Sequence, residues 1–297
     1  MQESEITEDI SLNSILKLII QGRKTMIYSV VSLMFLGLIY GFSQDDIYKS
    51  EILLAETEFQ NVGGTSGMGM SSLLGLTGLE ENKSLDLAKE IFKSRDFYRY
   101  FTTKREIFPY LLAAGSYDKK TKILSLDEDV YNFETKKWLI NEPDLNDPQL
   151  KALFSSHFVF SADSNPGFVV ISAEHKSPQI AKSFVDWIVQ DLNIFMSLKE
   201  REKSTMSKDF LENKLRTTKE VELREQISLM IAKELNTLML SERADQFAFN
   251  IVDNSFLPSV KSYPSRLIIL IISIFVGFIL GLCILLTNHY FSNDKRN

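Results

Sequence analysis

Two stretches of the chain contain no charged residue, and they constrain everything between them. They are residues 26–43 (MIYSVVSLMFLGLIYGFS) and residues 267–287 (LIILIISIFVGFILGLCILLT). A helix rises ~1.5 Å per residue, so roughly 20 apolar residues match a hydrocarbon core ~30 Å thick. The second stretch has that length. The first is at the short end, where the apolar region of a secretory signal is the competing reading. It runs on into Gln44-Asp45-Asp46 with no small-x-small cleavage pattern, which favours an uncleaved anchor.

Orientation follows from cations close to the spans. Lys17, Arg23 and Lys24 precede the first, and Lys295 and Arg296 follow the second, whereas Asp45 and Asp46 stand at the far end of the first. Lys261 and Arg266 lie against this trend, but two spans must place both ends on one side. The expected layout is a cytoplasmic tail (1–25), a transmembrane helix (26–43), a periplasmic domain (44–266), a second transmembrane helix (267–287) and a cytoplasmic tail (288–297). The expectation is a two-pass protein of the bacterial inner membrane. Its net charge of −6 is too mild to suggest nucleic acid as a partner. The single cysteine, Cys283, lies inside the second span, so the domain between the spans has no disulfide and must be held by packing and self-assembly.

Within that domain, residues 47–59 alternate as a strand does. Residues 61–79 (NVGGTSGMGMSSLLGLTGL) hold six of the 13 glycines and read as a loop. Leu87, Ile91, Phe97 and Tyr98 space out as one amphipathic helix over residues 84–102, and residues 139–152 read as a connector. Residues 157–162 and 168–173 are β-like runs around Asp163-Ser164-Asn165-Pro166-Gly167, which predicts a hairpin. From Pro178 no proline occurs until Pro258 and no glycine until Gly277. Apolar stripes at Ile180, Phe184, Ile188, Leu192, Phe195 and at Leu223, Ile227, Ile231, Leu235, Leu238 predict long helices over about 178–250. A reversal at Thr217-Thr218, with Thr217 and Glu220 in capping-box spacing, makes them a helical hairpin with arms of about 50 Å. The expected fold class is α+β: two terminal transmembrane helices flanking an exported domain with a long helical hairpin and, if the β-hairpin lies close to the membrane, an α/β base there.

Motifs for chemistry are missing. There is no Gly-x-x-x-x-Gly-Lys-Ser/Thr loop, no Gly-x-Ser-x-Gly elbow around Ser66 or Ser71, and no pairing of His157, His175 and His289 in metal-ligand spacing. The expectation is a protein that is not an enzyme, with no catalytic residue, cofactor or metal. Each span instead carries one Gly-x-x-x-Gly, Gly37 with Gly41 and Gly277 with Gly281, a spacing that lets helices approach closely in lipid. Ahead of the second span, Pro258 and Pro264 stop the descending helix and stiffen the chain where it meets the bilayer.

The order of these features resembles the Wzz-type chain-length determinants, or polysaccharide co-polymerases. The resemblance rests on Asp9-Ile10-Ser11-Leu12 through Lys24, on Ser71-Ser72-Leu73-Leu74-Gly75-Leu76 and on Lys93-Ser94-Arg95-Asp96-Phe97. It continues through Ile171-Ser172-Ala173 into Ser177-Pro178-Gln179-Ile180-Ala181 and closes on Asp253, Pro258, Pro264 and Arg266 before the second span. It implies a ring-forming homo-oligomer in the lipid bilayer that works with a membrane polysaccharide polymerase, and with the growing glycan, to set the chain length of O-antigen or a related surface polysaccharide. Only ten residues follow Thr287, which fits the kinase-free subclass. Two other readings stand beside it. One is a capsule or exopolysaccharide export component working with a separate kinase or outer-membrane channel; the other is a membrane-anchored sensor or adaptor.

Overall fold

A computed structural model describes residues 22–57, 83–244 and 247–294. The glycine-rich patch and the tail motif at Asp9–Leu12 lie outside the described residues, as do Lys17, Lys295 and Arg296. The chain divides into two compact units, one from the two ends and one spanning residues 47–261.

The first unit is a pair of helices, α1 (Arg23–Ser43) and α8 (Arg266–Asp294). Both are long and apolar enough to cross a membrane. Apolar side chains point outward all round, including Tyr28, Phe35, Phe42, Ile271 and Phe275, as suits helices solvated by lipid rather than water. Gly281 lies against Met26, Gly277 against Val30, and Gly37 against Ser273, so the two helices run antiparallel.

In the second unit, β1 (Tyr48–Glu56), β6 (Phe158–Ala162), β7 (Phe168–His175) and β8 (Phe249–Asp253) form an antiparallel sheet in the order β6-β7-β1-β8. Alternation drives it: Tyr48, Ser50, Ile52 and Leu54 are buried in β1, and Ile52 and Leu54 stand opposite Ile171 and Val169. The β6–β7 hairpin forms as its turn chemistry predicts. The Asp163 carboxylate accepts from the Asn165 N–H at 2.9 Å, and Gly167 takes φ +83°, a conformation open to glycine at no steric cost.

The helix expected over residues 84–102 is instead two, α2 (Lys83–Lys93) and α3 (Arg95–Arg105). Ser94 breaks it: its backbone is extended, and its hydroxyl accepts from the Phe97 N–H at 3.1 Å, starting a new helix. A one-turn helix, α4 (Phe108–Leu112), follows. Two small hairpins come next, which the sequence reading did not foresee: β2 (Ala114–Asp118) with β3 (Ile123–Leu126), and β4 (Tyr131–Asn132) with β5 (Lys137–Trp138). The connector over residues 139–152 ends in another helix, α5 (Pro148–His157), capped by Asp147 on the Gln149 N–H at 2.8 Å, with Pro148 in its first turn.

Phe92, Phe97, Phe101, Phe154, Phe158 and Phe184 fill the space between sheet and helices, with ring centroids such as those of Phe101 and Phe158 5.5 Å apart. Such pairs add to the area they bury by about 0.5–1.5 kcal/mol each.

The long helices need three corrections. α6 (Pro178–Thr217) runs 40 residues and α7 (Val221–Ser241) 21, so helix stops at Ser241 rather than near 250, and Phe249–Asp253 becomes the edge strand β8. The first half of α6 lies on the sheet, burying Phe184, Ile188, Leu192 and Phe195. The part beyond is about 20 residues, so each arm extends roughly 30 Å, not 50. The reversal is where the sequence puts it, but no capping box forms. The Thr217 hydroxyl donates back to the Lys214 carbonyl at 3.1 Å, while Arg224 closes the turn by donating to the carbonyls of Leu215 and Thr218 at 2.8 and 3.1 Å.

Candidate functional site

The four span glycines lie on the contact between α1 and α8. A β-carbon on Gly277 would stand 2.8 Å from the Val30 Cα, and one on Gly281 would be 3.3 Å from the Met26 Cα. Those neighbours are backbone and cannot rotate away. Gly37 and Gly41 face side chains, those of Ser273 and Ile269. The Ser29 hydroxyl donates to the Gly277 carbonyl at 2.9 Å, a polar tie across the close approach.

The pre-span residues do not form one cluster. Asp253 ends β8 opposite Leu53 and is exposed, and Pro258 is buried; both belong to the second unit. Pro264 follows a cis peptide bond, and Arg266 opens α8 in the first unit, its guanidinium 4.4 Å from the Phe42 ring centroid and 3.6 Å from the Asp46 carboxylate. That cation ties the end of one span to the start of the other.

Sequence reasoning missed three buried polar residues in the second unit. Asp191 of α6 is fully buried and accepts from Lys104 Nζ at 2.8 Å and from Arg105 Nε and Nη2 at 2.5 and 2.9 Å. Burial is the largest single influence on Lys104 and pulls its pKa down, but the hydrogen bonds to Asp191 and Tyr100, with the charge of Asp191, together outweigh it and leave the pKa raised. The same carboxylate raises the Arg105 pKa against the cost of burial. Arg105 also lies over the Trp187 ring at 5.6 Å. Asn193, one turn nearer the hairpin tip than Val189, turns its amide on β8: Oδ1 accepts from the N–H groups of Ala248 and Phe249 at 2.9 Å each, and Nδ2 donates to the Phe249 carbonyl at 3.2 Å.

His175, at the end of β7, is the third. The Ser177 N–H donates to its Nδ1 at 3.0 Å, so the proton sits on Nε2, which donates to the Tyr110 carbonyl at 2.8 Å. Burial is the main reason its pKa falls from 6.5 to about 4. The unfolded chain therefore binds the extra proton between those values, and stability is lost as the pH drops from about 6.5 to below 4. The expected loss is on the order of 3 kcal/mol. Denaturant midpoints of wild type and His175→Gln at pH 7 and pH 4 check this, because only wild type should carry this share of the acid sensitivity.

These groups pair with one another and with backbone inside the second unit. Among the described residues no three metal-ligating side chains converge. The remaining surface of note is the hairpin, where Met206, Phe210, Leu229, Met230 and Met239 stand exposed among charges.

The described residues thus comprise two helices long and apolar enough to cross a membrane and, between them in sequence, an α/β domain with a long helical hairpin. Residues 8–104 match the family Wzz, described as chain length determinant protein, a family tied in general to control of polysaccharide chain length. A full-length bacterial polysaccharide co-polymerase is similar in structure at 15% identity and TM-score 0.40, over 95% of this chain and 99% of that one. A fragment of WzzB, a polysaccharide co-polymerase from Salmonella Typhimurium, is similar at 10% identity and TM-score 0.27, over 74% of this chain and all of the fragment. No curated protein matches the sequence.

Proposed function

We propose that this protein is a non-enzymatic regulator of surface-polysaccharide chain length, of O-antigen or a related polymer, acting as a homo-oligomer beside a membrane polymerase. In this reading residues 26–43 and 267–287 cross the inner membrane, both termini are cytoplasmic, and residues 44–266 work in the periplasm. The observation that carries it is the Wzz match over residues 8–104, a stretch that includes the first apolar helix, β1 and the Ser94-capped helix pair. Exposed methionines and Phe210 on the hairpin supply adaptable apolar surface for association between copies.

Deleting the gene in its host and resolving the extracted polysaccharide by length on a gel tests the reading directly. The expected outcome is polymer still made but without its preferred length. Loss of surface polymer altogether would instead indicate an export component, and an unaltered profile would indicate a sensor.

The glycine pairs give a second test. Gly277→Leu should separate α1 from α8 because it meets backbone, whereas Gly37→Leu meets side chains and should be milder. The combined Gly37→Leu and Gly277→Leu variant is expected to lose the wild-type oligomer in native mass spectrometry and to broaden the length distribution. If neither changes, the span glycines do not organise the assembly.

A further inference from the structure

The chain enters and leaves the second unit along the first residues of β1. Tyr48 begins that strand five residues after Ser43 ends α1, and a link of that length reaches at most about 17 Å. Beyond β8 the chain returns beside the same strand, where the Ser50 hydroxyl donates to the Phe256 carbonyl at 2.8 Å. Six residues then lead from Val260 to Arg266 at the start of α8.

The surface there is apolar and basic. Phe256, Leu257 and Val260 stand exposed on the exit segment, Val260 at 76%. The β2–β3 hairpin is fixed to the same end of β1: the Tyr117 ring meets the Tyr48 ring edge-on at 5.8 Å, and Lys176, one residue beyond the β7 partner of Tyr48, donates to the Ala114 carbonyl at 3.1 Å. Asp118-Lys119-Lys120-Thr121-Lys122 forms the tip of this hairpin, and Ile123, the first residue after it, is 65% exposed. Asp118 is committed to the turn, accepting from the Lys120 N–H at 2.8 Å and from the Thr121 hydroxyl at 2.9 Å. The next acids, Asp127, Glu128 and Asp129, follow the other end of the hairpin, where the Asp127 N–H donates to the Ala113 carbonyl at 2.8 Å. Four residues of strand, about 13 Å, hold them away from the basic tip.

We infer that this end of the second unit docks on a phospholipid surface, with Phe256, Leu257, Val260 and Ile123 entering the headgroup layer and Lys120 and Lys122 lying against anionic headgroups. The inference rests on the reading that α1 and α8 cross a membrane. Apolar side chains beside a membrane-crossing segment are solvated by the interface rather than by water, and lysines there are attracted to an anionic leaflet within a Debye length of it. Lipid is favoured over a second copy of the chain because the polypeptide itself leads from this surface into the two apolar helices.

The test uses the full chain in nanodiscs of phosphatidylcholine alone or in an equal mixture with phosphatidylglycerol. In a Cys283→Ser background a nitroxide is attached at Ile123→Cys, Val260→Cys, Ser164→Cys or Ile271→Cys, and electron paramagnetic resonance reads its collisions with oxygen and with a water-soluble nickel chelate. Lipid favours oxygen and excludes the chelate. Val260→Cys should report lipid in both discs and Ile123→Cys in the mixed discs, whereas Ser164→Cys, in the β6–β7 turn at the far end of the sheet from Tyr48, should report water. A lysine at an anionic surface is worth about fivefold, so Lys120→Gln with Lys122→Gln should lower the ratio of docked to undocked Ile123→Cys label in the mixed discs on the order of twentyfold. Water at Val260→Cys, or at Ile123→Cys in the mixed discs, overturns the inference. Shielding of either site from both reagents overturns it too, because a second copy would then be the cover, and so does an Ile123→Cys label indifferent to lipid charge and to the two lysines. Ile271→Cys keeps the readings apart: lipid there with water at the other two sites sinks the docking alone, and water there sinks the spans and the docking together. None of these outcomes bears on the polysaccharide gel.

Discussion

Replacing Asn193 with leucine is expected to destabilise the domain by about 3–6 kcal/mol, more than a change of this size usually costs. The amide answers three buried backbone groups at once: the N–H groups of Ala248 and Phe249 and the Phe249 carbonyl. Leucine matches the volume but leaves all three unpaired beside a fully packed Phe249 ring, and each such group costs about 1–3 kcal/mol. The damage should begin locally, because β8 is an edge strand held on its other side only by β1. Hydrogen exchange over residues 247–253 should accelerate before the rest of the sheet loosens, and the denaturant midpoint should fall. Asn193→Asp keeps the acceptor and loses the donor, so it should cost less than leucine. If Asn193→Leu leaves both the midpoint and β8 exchange unchanged, the clamp contributes nothing.

This clamp shows why sequence reading went as far as it did. The two apolar terminal helices were legible because a run of about 20 residues without charge is a signal that needs no context. The β6–β7 hairpin was legible because Asp163, Asn165 and Gly167 encode its turn locally. Ser94 was also readable in principle, since serine is a favoured N-cap and Asp96 follows in the first turn, but the apolar spacing on either side masks the break. β8 was not readable. Nothing in Phe249–Asp253 separates a short edge strand from the end of a helix; the strand exists because Asn193, 55 and 56 residues earlier in the chain, turns its amide on Ala248 and Phe249. The arm length failed for a related reason. The apolar stripe of α6 stops at Phe195, where the helix leaves the sheet, but a stripe does not say whether it packs on a sheet or along a second arm, and only tertiary contacts reveal that the first half of the helix is not free.

The ion cluster was illegible in a different way, since Asp191 among so many helix carboxylates looks like one more solvated acid, yet among the described residues it is the one that is fully buried. Its burial predicts an asymmetry. In Asp191→Ala the two cations left behind still reach water, with side chains 38% and 21% exposed for Lys104 and Arg105, so the cost should be only about 1–3 kcal/mol. In the Lys104→Ala, Arg105→Ala double variant the carboxylate stays behind with 0% exposure and no counter-charge, and the cost should reach about 3–5 kcal/mol. Removing all three charges should recover part of that loss, because the stranded anion is gone. Urea midpoints followed by far-UV circular dichroism, run as a cycle over the wild type and these variants, give the coupling directly. If Asp191→Ala proves as costly as the double variant, the cluster acts through packing of α3 on α6 rather than through compensation of a buried charge. If the triple variant is worse than both, the same conclusion follows with more force, since charge removal would then bring no relief at all.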